Sequence, residues 1–203
     1  MSFFENTRKP VGLGGKIMVA MMNVGHSAMA EWGLSFLQHA PDAMVLDCGC
    51  GGGANIKTLL KLFPNGKVHG IDYSAVSVEK ARKVNAGAIA AGRCTVQQAS
   101  VAELPFGPEQ FERVTAFETV YFWPELVKNF REVYRVLKPG GIFFICNEAN
   151  GETTKDDKWT QIIGGMTIYT DTALKAYLEQ AGFCQIQSHK NKKGWLCVTA
   201  QKR

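Results

Sequence analysis

Residues 43–53 read Ala-Met-Val-Leu-Asp-Cys-Gly-Cys-Gly-Gly-Gly, and this stretch decides the fold. A short apolar run ends at Asp47, and glycines follow at positions 49, 51, 52 and 53. Short apolar runs bounded by turn residues are typical of buried strands. Glycines adopt backbone angles that other residues avoid and let a ligand approach the main chain. The pattern predicts a strand, a turn and a helix from about Ala54 whose first N–H groups face a ligand.

The rest of the chain alternates predicted strands with predicted helices. The predicted strands are 43–47, 67–71, 93–98, 111–117, 142–147, 183–190 and 195–201. The predicted helices are 54–63, 74–91, 124–137 and 171–181, with a less regular helical segment at 16–39. Such alternation is typical of a doubly wound, mostly parallel sheet. The short link at 191–194 predicts a hairpin, so the last strand should run antiparallel.

Composition limits the class of protein. The chain has 203 residues, 46% of them hydrophobic and 20% charged, which is typical of one globular domain. The six cysteines include no Cys-x-x-Cys pair, so we expect free thiols, no metal site and a cytoplasmic location. No apolar run is long enough to span a membrane, and no signal peptide is recognisable.

The net charge of +5 is mild. The basic cluster near the end of the chain consists of Lys190, Lys192, Lys193, Lys202 and Arg203. A solvated turn and tail explain this cluster more simply than a nucleic-acid interface. We therefore expect neither nucleic acid nor membrane as a partner, and the sequence does not set the oligomeric state.

The glycine spacing alone fits two cofactors. Gly49-x-Gly51-x-x-Ala54 satisfies the relaxed dinucleotide fingerprint, with Asp72 about where that fingerprint has its ribose acid. Asp47-x-Gly49-x-Gly51-x-Gly53 resembles instead the first motif of class I S-adenosylmethionine (SAM) methyltransferases. In that family the strand-end acid helps to hold the cationic amino-acid part of the cofactor. A negative charge suits a sulfonium and an ammonium, and it opposes a pyrophosphate.

The resemblance extends over residues 41–203. Glu103-Leu104-Pro105-Phe106 and Phe111-Glu112-Arg113-Val114 are similar to the family's third and fourth motifs. The stretch 131–141, Arg-Glu-Val-Tyr-Arg-Val-Leu-Lys-Pro-Gly-Gly, closely resembles the helix and turn before its fifth strand. The resemblance implies a Rossmann-like, seven-stranded α/β sheet with an antiparallel last strand. It also implies a SAM-binding domain at 41–203, preceded by a helical cap or lid at 1–40.

The resemblance assigns roles to the residues that end the strands. Asp72 should bind the ribose hydroxyls, with Tyr73 near the adenine and Ser74 as a helix cap. Ser100 departs from the pattern, because the family usually has an acid there for the adenine amino group; the Val101 amide can still serve the ring. The expected cofactor-binding residues are Asp47, Gly49, Cys50, Gly51, Gly53, Asp72, Tyr73, Ser74, Ser100, Val101, Phe117, Glu118 and Tyr121.

Methyl transfer from a sulfonium requires alignment more than acid–base chemistry. A base is needed only where the acceptor has a proton to lose, and His26, Glu118 and Glu148 are the candidates, with Asn147 as a polar positioner. Each candidate base has another explanation. Glu118 could hold the cofactor's ammonium group, His26 could pack the N-terminal helices, and Glu148 could be a solvated loop acid. We expect the acceptor pocket to be built from residues 1–39 and the connection 148–169.

Three functions remain open from sequence. A SAM-dependent methyltransferase acting on a small molecule agrees with all of the motifs. A nicotinamide-dependent oxidoreductase is disfavoured by Asp47, the terminal hairpin and the stretch 131–141. A non-catalytic SAM-binding regulatory module is mildly disfavoured by the acidic and aromatic residues at 117–123. The sequence does not identify the methyl acceptor.

Overall fold

The computed structural model describes residues 27–38 and 40–203, which form a seven-stranded sheet between two layers of helices. The strands are β1 (Met44–Cys48), β2 (Lys67–Asp72), β3 (Cys94–Gln98), β4 (Phe111–Phe117), β5 (Leu137–Asn147), β6 (Cys184–Lys190) and β7 (Leu196–Gln201). Their spatial order is β3-β2-β1-β4-β5-β7-β6. β7 pairs antiparallel with both of its neighbours, and the other pairs are parallel. The predicted fold class is confirmed.

The helices cover both faces of the sheet. They are α1 (Ser27–Leu34), α2 (Ala54–Leu62), α3 (Ala75–Val84), α4 (Ala86–Ala90), α5 (Leu126–Val136), α6 (Thr154–Ile162) and α7 (Asp171–Gln180). One apolar cluster includes side chains of α1, α2 and α3, and a second includes those of α5 and α7. No helix of the described residues has the length and apolar character that crossing a membrane requires.

Two predicted helices differ from the structure, and one helix was not predicted. The predicted helix 74–91 is two helices, because Asn85 ends α3 and its side-chain amide donates to the Gly53 and Ala81 carbonyls. Pro124 does not open α5, which begins at Leu126 after Glu125. The connection after β5 contains α6, which was not predicted from the sequence.

The basic cluster near the chain end is not wholly solvated. Lys202 is buried, and its ammonium donates to the Leu137 carbonyl at 2.8 Å and lies 3.3 Å from the Glu109 carboxylate. Lys190 contacts Glu152 at 2.6 Å and Asp171 at 3.2 Å. These lysines join parts of the fold, so the prediction of a solubilising tail was wrong for Lys202.

The described part of the predicted N-terminal cap belongs to the core. Met29, Leu34 and Leu37 are buried in the apolar cluster that also contains Phe144 and Cys146 of β5. Gly33 is the penultimate residue of α1, which ends at Leu34. Residues 1–26 and 39, which include His26, lie outside the described residues. A lid formed by residues 1–26 therefore remains a proposal, whereas α1 is a core helix.

Gly33 gives a test of this packing. A Cβ at Gly33 would lie 2.4 Å from the Cys146 Sγ and 3.1 Å from the Phe144 ring. Glycine to alanine inside a helix normally stabilises by about 0.5–1 kcal/mol. Here the clash should reverse the sign, and Gly33→Ala should lower the free energy of unfolding by about 1–3 kcal/mol in urea denaturation.

Two further variants control this prediction. Gly87 lies in α4, and a Cβ at this position would meet nothing within 4 Å, so Gly87→Ala should be neutral or stabilising. Removing the sulfur with Cys146→Ala should relieve much of the Gly33→Ala effect, because the two changes share one contact. Equal effects at both glycines would contradict the packing of α1 on β5.

Candidate active site at the carboxyl edge of the sheet

The expected site lies where the strand order reverses, between β1 and β4. At this point the connections from the two strands' carboxyl ends leave in opposite directions, and a crevice opens between them. The β1 end carries Asp47, the β2 end Asp72 and the β4 end Phe117, on neighbouring strands of one sheet. The sheet therefore brings together the acids and the loop that the sequence pattern indicates.

The loop between β1 and α2 needs its glycines for two different reasons. Gly49, Gly51 and Gly53 have φ of 75°, 52° and 80°, in the left-handed region. A Cβ at Gly49 would lie 2.3 Å from the Thr119 Oγ1, and one at Gly53 would lie 2.8 Å from the Ala81 Cα. A Cβ at Gly51 would meet nothing within 4 Å. Gly51 therefore borders the open space where a ligand can approach the backbone.

Asp72 ties β2 to this loop. Its carboxylate accepts from the Gly51 N–H at 3.0 Å and from the Ser74 N–H at 2.8 Å. Burial raises the pKa of Asp72, and these two backbone donors oppose the rise. A carboxylate has about four lone-pair sites, so Asp72 keeps acceptor capacity for a ligand hydroxyl. The expected helix cap is confirmed, because the Ser74 hydroxyl accepts from the Ser77 N–H at 3.4 Å.

Asp47 is a carboxylate with one unbonded oxygen. It is 1% exposed, its Oδ1 accepts from the Thr115 hydroxyl at 2.8 Å, and its Oδ2 has no hydrogen-bond partner among the described residues. Burial raises the pKa of Asp47 to about 7, with a smaller rise from the nearby Asp72 charge, while the bond from Thr115 lowers it. A buried carboxylate of this kind is poised for a cationic partner.

The residues expected near adenine lie beside the end of β3. Tyr73 is 39% exposed, and its carbonyl accepts from the Gln98 side chain at 3.0 Å. The hydroxyl of Ser100 accepts from the Ala102 N–H at 3.2 Å and therefore stabilises a turn. Val101 packs partly against the apolar core. Their roles toward a cofactor remain proposals.

Three other expected site residues contact mainly the rest of the protein, and a fourth lies outside the described residues. Phe117 packs on Phe144, with ring centroids 5.2 Å apart. Cys50 is buried, and burial raises the pKa of its thiol well above the ordinary value, so its side chain acts as a small apolar group. Tyr121 is buried, and its hydroxyl contacts Glu118 and the backbone of Ala149. His26 lies outside the described residues.

The structure adds two polar residues to the site whose importance the sequence pattern did not indicate. Thr115 holds Asp47, and it is a polar residue between Val114 and Ala116 in the buried half of β4, which was the signal that could have revealed it. Asn147 at the end of β5 is fully buried, and neither of its amide atoms is bonded within the part of the chain that the structure describes. The sequence indicates Asn147 only as a polar positioner, because its burial depends on the pairing of β5 with β7.

The polar groups at this edge of the sheet are better suited to binding SAM than to binding a metal ion. Among the described residues no three His, Cys, Asp or Glu side chains converge as metal ligands. The unbonded oxygen of Asp47, the open space at Gly51 and the spare acceptor capacity of Asp72 match a cationic sulfonium, a close backbone approach and a ribose diol. They match a pyrophosphate poorly, because two buried carboxylates would repel it.

A sequence profile described as a methyltransferase domain matches residues 45–141. The chain is 32% identical over 105 residues to cycloartenol-C-24-methyltransferase 1 of Oryza sativa subsp. japonica, which covers 52% of the chain and 30% of the relative. It is 34% identical over 111 residues to demethylmenaquinone methyltransferase of Symbiobacterium thermophilum, which covers 54% of the chain and 44% of the relative. The chain thus spans less than half the length of these relatives.

The fold is shared with solved structures. A SAM-dependent methyltransferase from Aquifex aeolicus superposes with a TM-score of 0.77 at 18% sequence identity, covering 93% of this chain and 98% of that one. At this identity the likeness concerns the fold. It agrees with the observed strand order and with the antiparallel last strand.

Asp47 gives a pH prediction. The folded-state pKa of about 7 lies above the ordinary 3.8, so the folded protein retains a proton that the unfolded chain releases between these values. The free energy of unfolding should therefore fall as pH rises from 4 to 7, and Asp47→Asn should remove this loss. Relative to wild type, the variant should gain about 2–3 kcal/mol between about pH 5 and pH 8 in urea denaturation.

Asp171→Asn is the matched control for this titration. Contacts with Lys190 help to hold the pKa of Asp171 below its ordinary value against its partial burial, so neither of its states titrates between about pH 5 and pH 8. Its stability difference from wild type should be constant over that range. A constant difference for Asp47→Asn as well would mean that Asp47 does not change ionisation there.

Proposed function

We propose that this chain, which belongs to the class I SAM-dependent methyltransferase family, transfers the methyl group of SAM to a small-molecule acceptor. The observation that carries the proposal is the buried Asp47 carboxylate, whose Oδ2 has no partner among the described residues at the switch point of the sheet. A sulfonium or ammonium would neutralise this charge. The chain contributes positioning and charge, and the bound SAM supplies an activated methyl group.

The proposed cofactor site uses the ends of three strands. Asp47 faces the cationic amino-acid end, Gly51 borders the space for the cofactor, and Asp72 accepts from the ribose hydroxyls. Ser100 and Val101 would meet the adenine ring, with Tyr73 on its face. The bond between the Gly51 N–H and Asp72 supports this arrangement, because it holds the loop and the ribose acid together.

The acceptor is proposed to be an apolar small molecule. Three large hydrophobic side chains are exposed among the described residues, and all lie on connections that leave the carboxyl edge: Tyr73, Trp159 and Ile162. The two relatives described above are named as methyltransferases of cycloartenol and of demethylmenaquinone. Glu118 could act as a base for an acceptor that loses a proton, and residues 1–26, with His26, are proposed to cover this edge as a lid.

The proposed location is the cytoplasm, and the proposed partners include no nucleic acid. The six cysteines are free thiols, which agrees with a reducing compartment. Lys202 is buried in the fold, and the exposed Lys190 pairs with Glu152 and Asp171, which leaves a weaker basic surface than the sequence suggested.

Two measurements test the proposed function. Isothermal titration calorimetry should detect binding of SAM and of its demethylated product, and no binding of reduced nicotinamide dinucleotide. Labelled SAM incubated with an apolar extract should then yield a labelled small molecule. Nicotinamide binding would favour an oxidoreductase, and SAM binding without any turnover would favour a regulatory module.

The ribose contact gives a sharper prediction. Asp72→Ala should weaken SAM binding by about 1.5–3 kcal/mol, the range for hydrogen bonds to a charged group. Because Asp72 also holds Gly51, wild type and variant should both be titrated with a SAM analogue that lacks the ribose hydroxyls. If Asp72 binds the diol, the analogue should bind both proteins about equally. A loss in the variant that is the same for SAM and analogue would assign Asp72 to loop stability alone.

A further inference from the structure

Glu118 has a strained backbone next to the proposed cofactor site. Its φ is 57°, in the left-handed region that long side chains rarely adopt, and its N–H donates to the Cys146 carbonyl at 3.0 Å. The next residue, Thr119, packs closely on the glycine loop, because its Oγ1 would lie only 2.3 Å from a Cβ at Gly49. Strain of this kind persists only where surrounding contacts maintain it, and it is concentrated at functional sites.

Hydrogen bonds from Tyr121 and from the backbone of Glu148 help to hold the side chain of Glu118. Its Oε1 accepts from the Tyr121 hydroxyl at 3.2 Å and from the Glu148 N–H. These donors come from the segments that follow β4 and β5, so the carboxylate joins both segments. A carboxylate that accepts a hydroxyl hydrogen and an amide hydrogen is held in one orientation.

Tyr121 is itself held by Ala149, in the segment that follows β5. Its side chain is 2% exposed, so its ring does not offer a face to a ligand. Its hydroxyl accepts from the Ala149 N–H at 3.0 Å, which directs the hydroxyl hydrogen toward Glu118 or toward the Ala149 carbonyl at 3.3 Å. Burial raises the pKa of Tyr121 well above its usual value, so the hydroxyl remains a donor through the neutral range.

We propose that Tyr121 is a positioning residue, which holds the Glu118 carboxylate toward the cationic end of SAM by a hydrogen bond. This inference rests on the proposed function and replaces the expectation that Tyr121 contacts the cofactor. Glu118 would then add a second carboxylate to that of Asp47 at the carboxyl edge of the sheet. Loss of the Tyr121 hydroxyl would remove one of the donors that orient the Glu118 carboxylate, while the Glu148 N–H remains.

The test is a double-mutant cycle on SAM affinity, measured by calorimetry. Tyr121→Phe keeps the ring and removes the hydroxyl, and it should weaken SAM binding about tenfold, the effect of one net hydrogen bond. Glu118→Gln should weaken binding at least as much. If Tyr121 acts through Glu118, the double variant should bind no more weakly than Glu118→Gln alone.

The matched control is Tyr134→Phe. Tyr134 packs on Phe183, with ring centroids 5.1 Å apart, on the face of the sheet that α5 and α7 cover. This change should leave SAM affinity within about twofold of wild type. Thermal unfolding of each variant without SAM separates a general loss of stability from a change at the site, because a purely structural role would not produce non-additive binding.

Three results would overturn the inference. Tyr121→Phe could bind SAM as wild type does, or its effect could multiply with that of Glu118→Gln, which would show independent action. Unchanged affinity of Glu118→Gln alone would overturn it even if Tyr121→Phe does not fold. Failure of wild type to bind SAM would instead refute the proposed function, and the wild-type titration shows this before any variant is compared.

Discussion

The Asp47 carboxylate lies almost fully buried at the switch point of the sheet, with one oxygen bonded to Thr115 and the other bonded to none of the described residues. Burying a charge in this way is costly unless a partner of opposite charge arrives. The arrangement around it follows from that cost. The glycine loop near Asp47 leaves its backbone accessible to a ligand, and Asp72 holds the loop in place through the Gly51 N–H. Binding of a cation would therefore relieve an electrostatic cost that the free protein carries.

The sheet could be predicted from sequence because its signals are local. β1 is a short apolar run before a glycine turn, strands alternate with helices after it, and the terminal hairpin has a short link, so the directions of the strands followed from known connection rules. The ends of the helices depended on distant partners. Asn85 ends α3 because its amide bonds the Gly53 carbonyl across the fold, which no pattern within 74–91 reveals.

The roles of the site residues were predictable only where position on a strand determines them. Asp47 and Asp72 end strands, so the topology alone brings them to one edge. The orientation of Tyr121 was not predictable, because it depends on Ala149, which follows β5. The same limit explains Lys202, whose burial requires the Leu137 carbonyl from another strand. An aromatic or basic residue in a sequence indicates a possible contact, and its partner in the fold decides whether that contact is with a ligand or with the protein.

The polar groups at the two edges of the sheet differ in how completely they are hydrogen-bonded. The bonds made at one edge stabilise the fold, and the groups left unbonded at the other edge are available to a ligand. At the amino edge, arginine side chains donate hydrogen bonds to backbone carbonyls. Arg93 donates to the Leu60, Phe63 and Gly66 carbonyls, and Arg113 donates to the Gln38 carbonyl. At the carboxyl edge, within the described residues, Asp47 keeps an unbonded oxygen and Asn147 keeps an unbonded amide. Unmet hydrogen bonds of buried groups lower the stability of the free protein. A ligand that supplies these bonds would recover that lost free energy on binding, and we therefore propose the carboxyl edge as the place where this chain binds and orients a substrate.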